Sequence, residues 1–128
     1  MMIERFTNSI LGEQYLLSTA DISKVFGRFN MLNHKFVVIL NEADGKDMFQ
    51  NSEKMKSLIT EPYINWEDKF QKPVTLNSFS RFKLFSNNST PVKVSTMDRR
   101  INAFECTDKV RPDMHKSKDQ IRLFFDCT

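Results

Sequence analysis

Four polar side chains stand beside apolar segments of this chain, at positions where a folded protein could use them for chemistry. Glu42 closes one apolar run, Asn87 follows a second apolar segment, and the pair Arg99 and Arg100 comes just before a third. A carboxylate can activate a water molecule, an amide can contact a terminal phosphate, and an arginine can neutralise charge that develops on that phosphate. These are the residue types that hydrolysis of a nucleoside triphosphate requires.

The first of these segments is the apolar run 36–40, which contains two Val and one Ile. Such a run predicts a strand that is buried on both faces, as in a parallel sheet flanked by helices. An acid at the carboxyl end of such a strand lies at the edge where open α/β folds bind ligands. Glu42 could therefore hold Mg²⁺ or polarise the attacking water. The alternative is a solvated acid that only ends a buried strand.

The other two segments read as strands as well. Residues 79–85 alternate between apolar and polar side chains and then reach Ser86, Asn87 and Asn88. Residues 101–106 predict a third strand directly after the arginine pair. Each polar group also has an ordinary interpretation, because two asparagines often form only a turn and two arginines often form only a surface pair.

Segments with helical spacing lie on both sides of the strand 36–40. Apolar residues within 22–32 recur as one helical stripe, and Ser18 and Asp21 have the spacing of a capping box in front of it. A second apolar helical face spans 48–59 and stops before Pro62. Residues 64–76 alternate weakly and contain Lys69 and Lys72, which predicts a β-hairpin or an exposed loop with a basic tip. The fold class is therefore α/β.

The composition is that of one domain of an ordinary globular protein. The chain has 128 residues and a net charge of +3, of which residues 1–64 carry −1 and residues 65–128 carry +4. The second half is therefore better suited to meet a polyanion. No run is long enough to span a membrane and the amino terminus lacks the features of a secretion signal, so we expect an intracellular protein. The two cysteines and two histidines show no metal-site spacing.

Taken in order, these segments resemble the carboxyl-terminal part of the ATPase domain of superfamily 3 helicases, especially the primase-helicases of phages, giant viruses and related mobile elements. The resemblance covers about residues 24–107. The matching segments are Val25–Asn30 before the Walker B strand, Phe36–Glu42 as that strand, Ile59–Lys69 leading into the pre-sensor hairpin, Phe82–Asn88 with Pro91–Val92 as sensor 1, and Asp98–Ile101 as the arginine finger.

The resemblance implies a partial P-loop NTPase-like, AAA+-like sheet flanked by helices, with a basic β-hairpin. It makes Glu42 the catalytic acid and a Mg²⁺ ligand, and Asn87 the sensor amide, with Asn41 beside them in contact with the nucleotide. Arg100, or alternatively Arg99, would reach the nucleotide of a neighbouring subunit, because this family works as rings that are usually hexamers.

The hairpin would bind single-stranded DNA in the central channel of such a ring. Lys69, and with it Lys72, would contact phosphates without reading the sequence. The implied process is ATP-driven DNA unwinding during replication of a virus or mobile element, which would place a viral protein in the host cytoplasm or a virus factory. Phe70 or Trp66 could stack on a base, although packing against the protein is the ordinary role of an aromatic side chain.

Two features depart from the family pattern. Many relatives have two consecutive acids at the end of the Walker B strand, whereas this chain has Asn41 in the first position, so Asp44 would have to supply the second carboxylate. The three glycines do not form a P-loop, which the family places upstream of this segment. ATP and Mg²⁺ would therefore bind only with a P-loop supplied from elsewhere, and the chain alone is expected to be an inactive ATPase.

Three hypotheses follow for residues 1–128, which we interpret as a single domain whose residues 108–128 form a charged connector and a helix. The chain is the carboxyl-terminal portion of a helicase ATPase domain, acting with the rest of that domain or with neighbouring subunits. Alternatively, it is a remnant without a P-loop that binds nucleic acid or serves in assembly. In the third, it is a small α/β domain that resembles the family by accident.

Overall fold

The structure is a computed structural model that describes residues 2–41, 46–87 and 91–104. Helices and strands occupy the first two thirds of the chain. In order they are α1 (Met2–Leu11), β1 (Leu16–Thr19), α2 (Ser23–Phe26), β2 (Val37–Leu40), α3 (Lys46–Gln50), α4 (Ser52–Thr60), β3 (Tyr63–Trp66), β4 (Val74–Asn77) and β5 (Arg81–Leu84), with one 3₁₀ turn (Glu13–Tyr15) before β1.

Three of the strands form a parallel sheet in the order β1-β2-β5. Val37 of β2 is level with Leu16 of β1 and with Arg81 of β5, and the pairing continues without a bulge to the last residue of each strand. Residues 37–40 of the predicted run 36–40 form the central strand, and Phe36 lies just before it. Val38, Ile39 and Leu40 have essentially no exposed surface.

The hydrophobic core lies on one face of this sheet. Side chains alternate between the two faces of a strand, so Leu17, Val38 and Phe82 point to the same side. They pack there in one cluster with apolar residues of α2, α3, α4 and β3, namely Val25, Met48, Met55 and Ile64. The mixed α/β class predicted from the sequence is confirmed.

Helix α1 covers part of the other face of the sheet. It ends at Gly12, whose φ of +90° is a backbone conformation that side chains disfavour, and this glycine turns the chain back towards β1. Glu4 on α1 contacts Ser18, which points away from the core. The amino end of α1 therefore lies beside the carboxyl end of β1.

The helix predicted for 22–32 is much shorter than its apolar spacing suggested. Helix α2 ends at Phe26, because Gly27 adopts extended backbone and approaches Ser23 so closely that a methyl group would overlap its carbonyl oxygen. The capping box was also wrong, since Ser18 lies in β1 and Asp21 instead accepts hydrogen bonds from Ser23.

The remaining elements divide into confirmed, corrected and untested predictions. The second helical segment is present as α3 and α4, which meet at Asn51. The hairpin is present as the antiparallel pair β3 and β4. The third strand was wrong over 101–104, where the backbone is irregular and Ile101 packs against the core instead. The helix expected near the end of the chain lies outside the described residues.

Candidate functional site

The carboxyl ends of β1, β2 and β5 lie level with one another at one edge of the sheet. Thr19, Leu40 and Leu84 form the last rung of the ladder. Beyond that rung, the Asn41 amide donates to the Thr19 carbonyl (2.9 Å) and the Phe85 amide donates to the Leu40 carbonyl (2.9 Å). We call this the carboxyl edge. Because β2 and β5 are neighbours, the chain segments that follow them start side by side.

The predicted site residues are only partly covered by the described residues. Asn41 lies directly at the carboxyl edge, and Asn87 is exposed three residues beyond the end of β5. Glu42 and Asp44 lie outside the described residues. The neighbouring positions of strands β2 and β5 therefore agree with the sequence prediction, whereas the roles given to Glu42, Asp44 and Asn87 stay predictions.

A cluster of three polar side chains joins α1 to the carboxyl edge. The Asn41 Nδ2 group donates to Ser18 Oγ (2.8 Å) and to Glu4 Oε1 (3.2 Å), and the Ser18 hydroxyl donates to the same carboxylate oxygen. The Ser18 hydroxyl, with further help from the Asn41 amide, holds the pKa of the Glu4 carboxyl below its ordinary value. Burial opposes this shift only in part.

Glu4 is a residue that sequence reasoning missed. It brings a carboxylate to the end of the central strand from a position 37 residues earlier in the chain. The first segment showed only a helical spacing of apolar residues, so it carried no signal that its acid would reach this edge. The contact also shows that the Asn41 amide nitrogen is already engaged within the protein.

An open cleft of about 570 Å³ adjoins the carboxyl edge on the β1 side. Ala20 and Asp21, which directly follow β1, line one wall. Phe26 contributes an aromatic surface, and Asn51 and Lys54 contribute an amide and a positive charge from the other wall. The cleft has the size that small-ligand sites usually have.

The two arginines lie in a segment that is fastened to helix α4. The Lys93 amide donates to Ser52 Oγ (3.0 Å), and that buried hydroxyl donates in turn to the Phe49 carbonyl (2.7 Å). Val92 on the same segment is buried in the core. The backbone just before the arginines is therefore held in place by both apolar packing and a buried hydrogen bond.

Asp98 distinguishes the two arginines. Its side chain is only 4% exposed, and it pairs with Arg100 Nε (3.3 Å) and Lys56 Nζ (3.6 Å) while accepting the Arg100 backbone amide (3.1 Å). That backbone hydrogen bond, and then the two positive charges, lower the pKa of Asp98. Arg99 is exposed and has no ion pair or hydrogen bond within the described ranges. Of the pair, Arg99 is the side chain that is free to extend.

The β3–β4 hairpin presents an exposed tip of residues 68–73. Lys69 and Lys72 are exposed there, and neither ammonium group forms an ion pair in the described part of the chain, although the Lys69 backbone amide donates to the Asp68 carboxylate (2.7 Å). Phe70, between them, is fully exposed and has a positive φ of 65°. A fully exposed Phe makes no packing contact that would explain it, so its ring is available to a ligand.

The base of the hairpin is held firmly against the rest of the protein. Arg28 forms a bidentate pair with Glu67 (2.7 and 2.8 Å), and Asn30 Nδ2 donates to the Asn65 carbonyl (3.0 Å). The Arg28 pair lowers the pKa of Glu67. Because Arg28 neutralises Glu67, the positive charges of Lys69 and Lys72 meet less opposing charge at the loop.

The described residues hold neither a metal-binding cluster nor a membrane span. Among them, no three acidic, His or Cys side chains come together in a group that could hold a metal ion. No helix in the described ranges is both long enough and apolar enough to cross a membrane. The expected Mg²⁺ ligands Glu42 and Asp44 lie outside those ranges, so their role as ligands stays a prediction.

Comparison with known proteins places the chain in a family. Residues 2–100 match the model of a family of unknown function, DUF5906. The chain belongs to this family. It is also 28% identical, over 103 residues, to a DNA primase-polymerase of Nitratiruptor phage NrS-1, in a match that covers 77% of this chain and 14% of that protein. This DUF5906 chain therefore spans only a small part of its curated relative.

Solved structures of the NrS-1 C-terminal region show the same fold. An apo structure of residues 305–718 aligns with a TM-score of 0.73 at 23% identity, covering 98% of this chain and 30% of that one. An A form apo structure aligns with a TM-score of 0.70 at 22% identity and covers the same shares. The DUF5906 fold described above is thus a mixed α/β fold similar to part of this phage protein region.

Proposed function

We propose that this chain is the carboxyl-terminal part of a superfamily 3 helicase ATPase motor that acts in phage or mobile-element DNA replication. The observation that carries the proposal is the parallel pairing of β2 with β5. It starts the segments leading to Glu42 and Asn87 side by side at the carboxyl edge. An acid and an amide arriving from neighbouring strands are what a γ-phosphate and its attacking water require.

The missing phosphate-binding loop has a natural place in this arrangement. Helix α1 begins at the carboxyl edge, because Glu4 in its first turn contacts Ser18 and Asn41 there. A Gly-rich loop of another polypeptide, placed at this end of α1, would present its amides at the same edge beside the Glu4 carboxylate, and those amides would bind the phosphates. Such a loop, on the rest of the helicase domain, would bind ATP and Mg²⁺ together with Glu42, Asp44 and Asn41.

The arginines supply the contact between subunits in this proposal. In a ring, one arginine of each subunit stabilises charge on the nucleotide bound by its neighbour. Arg100 is tethered by Asp98, whereas Arg99 extends freely, so the contacts favour Arg99 for that role. Arg100 would then set the direction in which the segment points.

The decisive experiment is to combine this chain with a polypeptide that carries the P-loop part of the domain. ATP hydrolysis should appear only in the mixture, should need Mg²⁺, and should be abolished when Glu42 is replaced by Gln. Hydrolysis by the Glu42→Gln mixture at the unaltered rate would contradict the assignment. A mixture that forms but never hydrolyses ATP would contradict the motor itself.

A second candidate function is nucleic-acid binding without ATPase activity, and the hairpin loop favours it. Lys69, Phe70 and Lys72 are all exposed, and this combination of charges and a ring suits single-stranded DNA. Binding of single-stranded DNA by the isolated chain, without hydrolysis in any mixture with a P-loop polypeptide, would support this function over the motor.

A further inference from the structure

Three aromatic side chains form a continuous row at the amino ends of the parallel strands, on the edge of the sheet opposite to the carboxyl edge. Tyr15 stands directly before β1, Phe36 directly before β2, and Phe79 two residues before β5. The ring centroids of Tyr15 and Phe36 are 5.1 Å apart, and those of Phe36 and Phe79 are 6.2 Å apart. We call these three residues the aromatic row.

The backbone beneath the aromatic row is rigid. The Phe36 amide donates to the Tyr15 carbonyl (2.9 Å), and the Arg81 amide donates to the Phe36 carbonyl (2.8 Å). The Ser80 hydroxyl donates to the Lys35 carbonyl (2.7 Å). The sheet ladder thus extends through the row, so the rings are held in a preformed arrangement.

The aromatic row is also open to solvent. Phe36 is 40% exposed and Phe79 is 61% exposed. Large apolar side chains that remain this exposed in a contiguous group mark a binding surface more often than isolated ones do. The row takes no part in the site at the carboxyl edge, because the full length of the strands separates the two.

Positive charge accompanies the rings and indicates what they bind. Lys35 Nζ donates to the Gln14 carbonyl (2.7 Å), next to Tyr15, and Arg81 Nη1 contacts the Ser80 carbonyl (3.3 Å), next to Phe79. Neither cation has a carboxylate partner among the described residues. Lys83 adds a third exposed cation on the same face of β5 as Arg81. The acidic residue nearest in sequence to the aromatic row is Glu13, two residues before Tyr15.

We propose that the aromatic row is a binding site for single-stranded nucleic acid, separate from the β3–β4 hairpin. Rings on neighbouring strands offer stacking faces to successive bases, and adjacent cations contact the phosphates that join those bases. An apolar protein partner could pack against the rings, but it would form no ion pairs with the cations beside them. The charge pattern therefore favours a polyanion with flat apolar groups.

The test measures fluorescence anisotropy of a labelled oligothymidylate with the full chain, in a background where Lys69, Phe70 and Lys72 are all Ala. This background removes the contribution of the hairpin to DNA binding. The result therefore does not depend on whether the hairpin binds DNA or whether the chain is part of an ATPase motor. Phe79→Ala should weaken binding at least about five-fold, the effect expected for one stacked base. Phe79→Tyr, which retains a stacking ring, should bind nearly as the parent does.

Phe6→Ala is the matched control, because Phe6 is 65% exposed on α1 and is not part of the aromatic row. An abasic oligonucleotide of the same length should bind the parent weakly, and Phe79→Ala should change that binding little. Equal effects of Phe79→Ala and Phe6→Ala, or equal binding of abasic and intact strands, would overturn the proposal. So would a change in sedimentation coefficient on Phe79→Ala with DNA binding intact, since the row would then join copies of the chain.

Discussion

The Asn41 side chain donates a hydrogen bond to the Glu4 carboxylate across 37 positions of the chain and so ties helix α1 to the end of the central strand. This contact lies where the proposed nucleotide site begins. Asn41, which the proposed motor places at the first Walker B position, therefore has a structural partner. Through this contact the Glu4 carboxylate places a negative charge at the carboxyl edge. Strand β2 itself has no acidic residue there before Glu42.

Replacing Glu4 by Gln should lower the free energy of unfolding by about 1 kcal/mol near neutral pH, because the hydrogen bonds would no longer be made to a charged carboxylate. The pKa of Glu4 is lowered in the folded state from its ordinary value of 4.5. The carboxylate therefore contributes stability above pH 4.5, and this contribution is lost as the pH falls through the lower folded pKa.

Urea unfolding of the parent and of Glu4→Gln at several pH values measures this effect. The two stabilities should differ near pH 7 and converge at acidic pH. Glu13→Gln serves as the control, because Glu13 is exposed and makes no side-chain bond in the described ranges. A difference for Glu4→Gln that persists unchanged at low pH would rule out the carboxylate as its source.

Replacing Asp98 by Asn should lower the thermal midpoint and loosen the arginine segment, because Asp98 holds both Arg100 and Lys56. Limited proteolysis measures the second effect, and cleavage after Arg99 or Arg100 should become faster. Glu53→Gln is a suitable comparison, since Glu53 is an exposed partner of the same Lys56. Unchanged cleavage rates in Asp98→Asn would show that the core packing of Val92 and Ile101 suffices to hold the segment.

Replacing Arg99 by Ala should reduce ATP hydrolysis in the mixture with a P-loop polypeptide by about 10³-fold while nucleotide binding stays nearly unchanged. The reason is that the free guanidinium contacts the phosphate only as charge develops on it. Arg100→Ala should reduce hydrolysis less, since Arg100 acts through the position of the segment. Arg5→Ala on α1 controls for the removal of a surface charge. A larger loss of hydrolysis in Arg100→Ala than in Arg99→Ala would instead assign the arginine finger to Arg100.

Replacing Lys69 or Lys72 by Ala should weaken binding of single-stranded DNA. It should also reduce the salt dependence of the affinity by about 0.7 in the log–log slope for each phosphate that the protein no longer neutralises. Phe70→Ala should weaken binding by about 1–3 kcal/mol with no change in this slope, because stacking is not ionic. Anisotropy titrations over a range of salt concentrations separate the two effects. Lys24→Ala, at an exposed lysine of α2, should leave both quantities unaltered.

Replacing Gly27 by Ala should destabilise the protein by about 1–3 kcal/mol, because the added methyl group overlaps the Ser23 carbonyl oxygen and forces the backbone to move. Thermal unfolding measures this destabilisation. Ser9→Ala on the exposed surface of α1 should change the stability by less than about 0.5 kcal/mol. A Gly27→Ala variant as stable as the parent would show that the end of α2 can relax without cost.

The elements that the sequence predicted well are those with a strong local signal. An apolar run around Val38 favours burial, so the central strand and the burial of Val38, Ile39 and Leu40 followed from composition, although Phe36 at the start of the run is 40% exposed. The alternation of apolar and polar residues around Phe82 likewise predicted β5. Pro62 and Pro73, which interrupt regular structure, helped to predict the hairpin. Local periodicity determines which face of an element is buried, and this information is contained within a few residues.

The failures have two physical causes, a local backbone stop that the apolar stripe did not reveal and distant contacts that outweighed a local pattern. The stripe through Leu32 suggested a long helix, yet Gly27 ends the helix and Leu32 reaches the core from irregular backbone. Ser18 had the spacing of a cap, but its backbone pairs with β2. Glu4 and Asp98 owe their importance to partners that a linear pattern does not contain.

The connection between Pro62 and Ser78 has a consequence for how this fold can diversify. The Ser78 amide donates to the Pro62 carbonyl (2.8 Å), so the chain leaves and re-enters the body of the protein at a single closed neck. The tip of the hairpin, residues 68–73, can therefore vary in length and charge while β5 keeps its register against the central strand, whereas Ile64 is fixed by the core and Glu67 by Arg28.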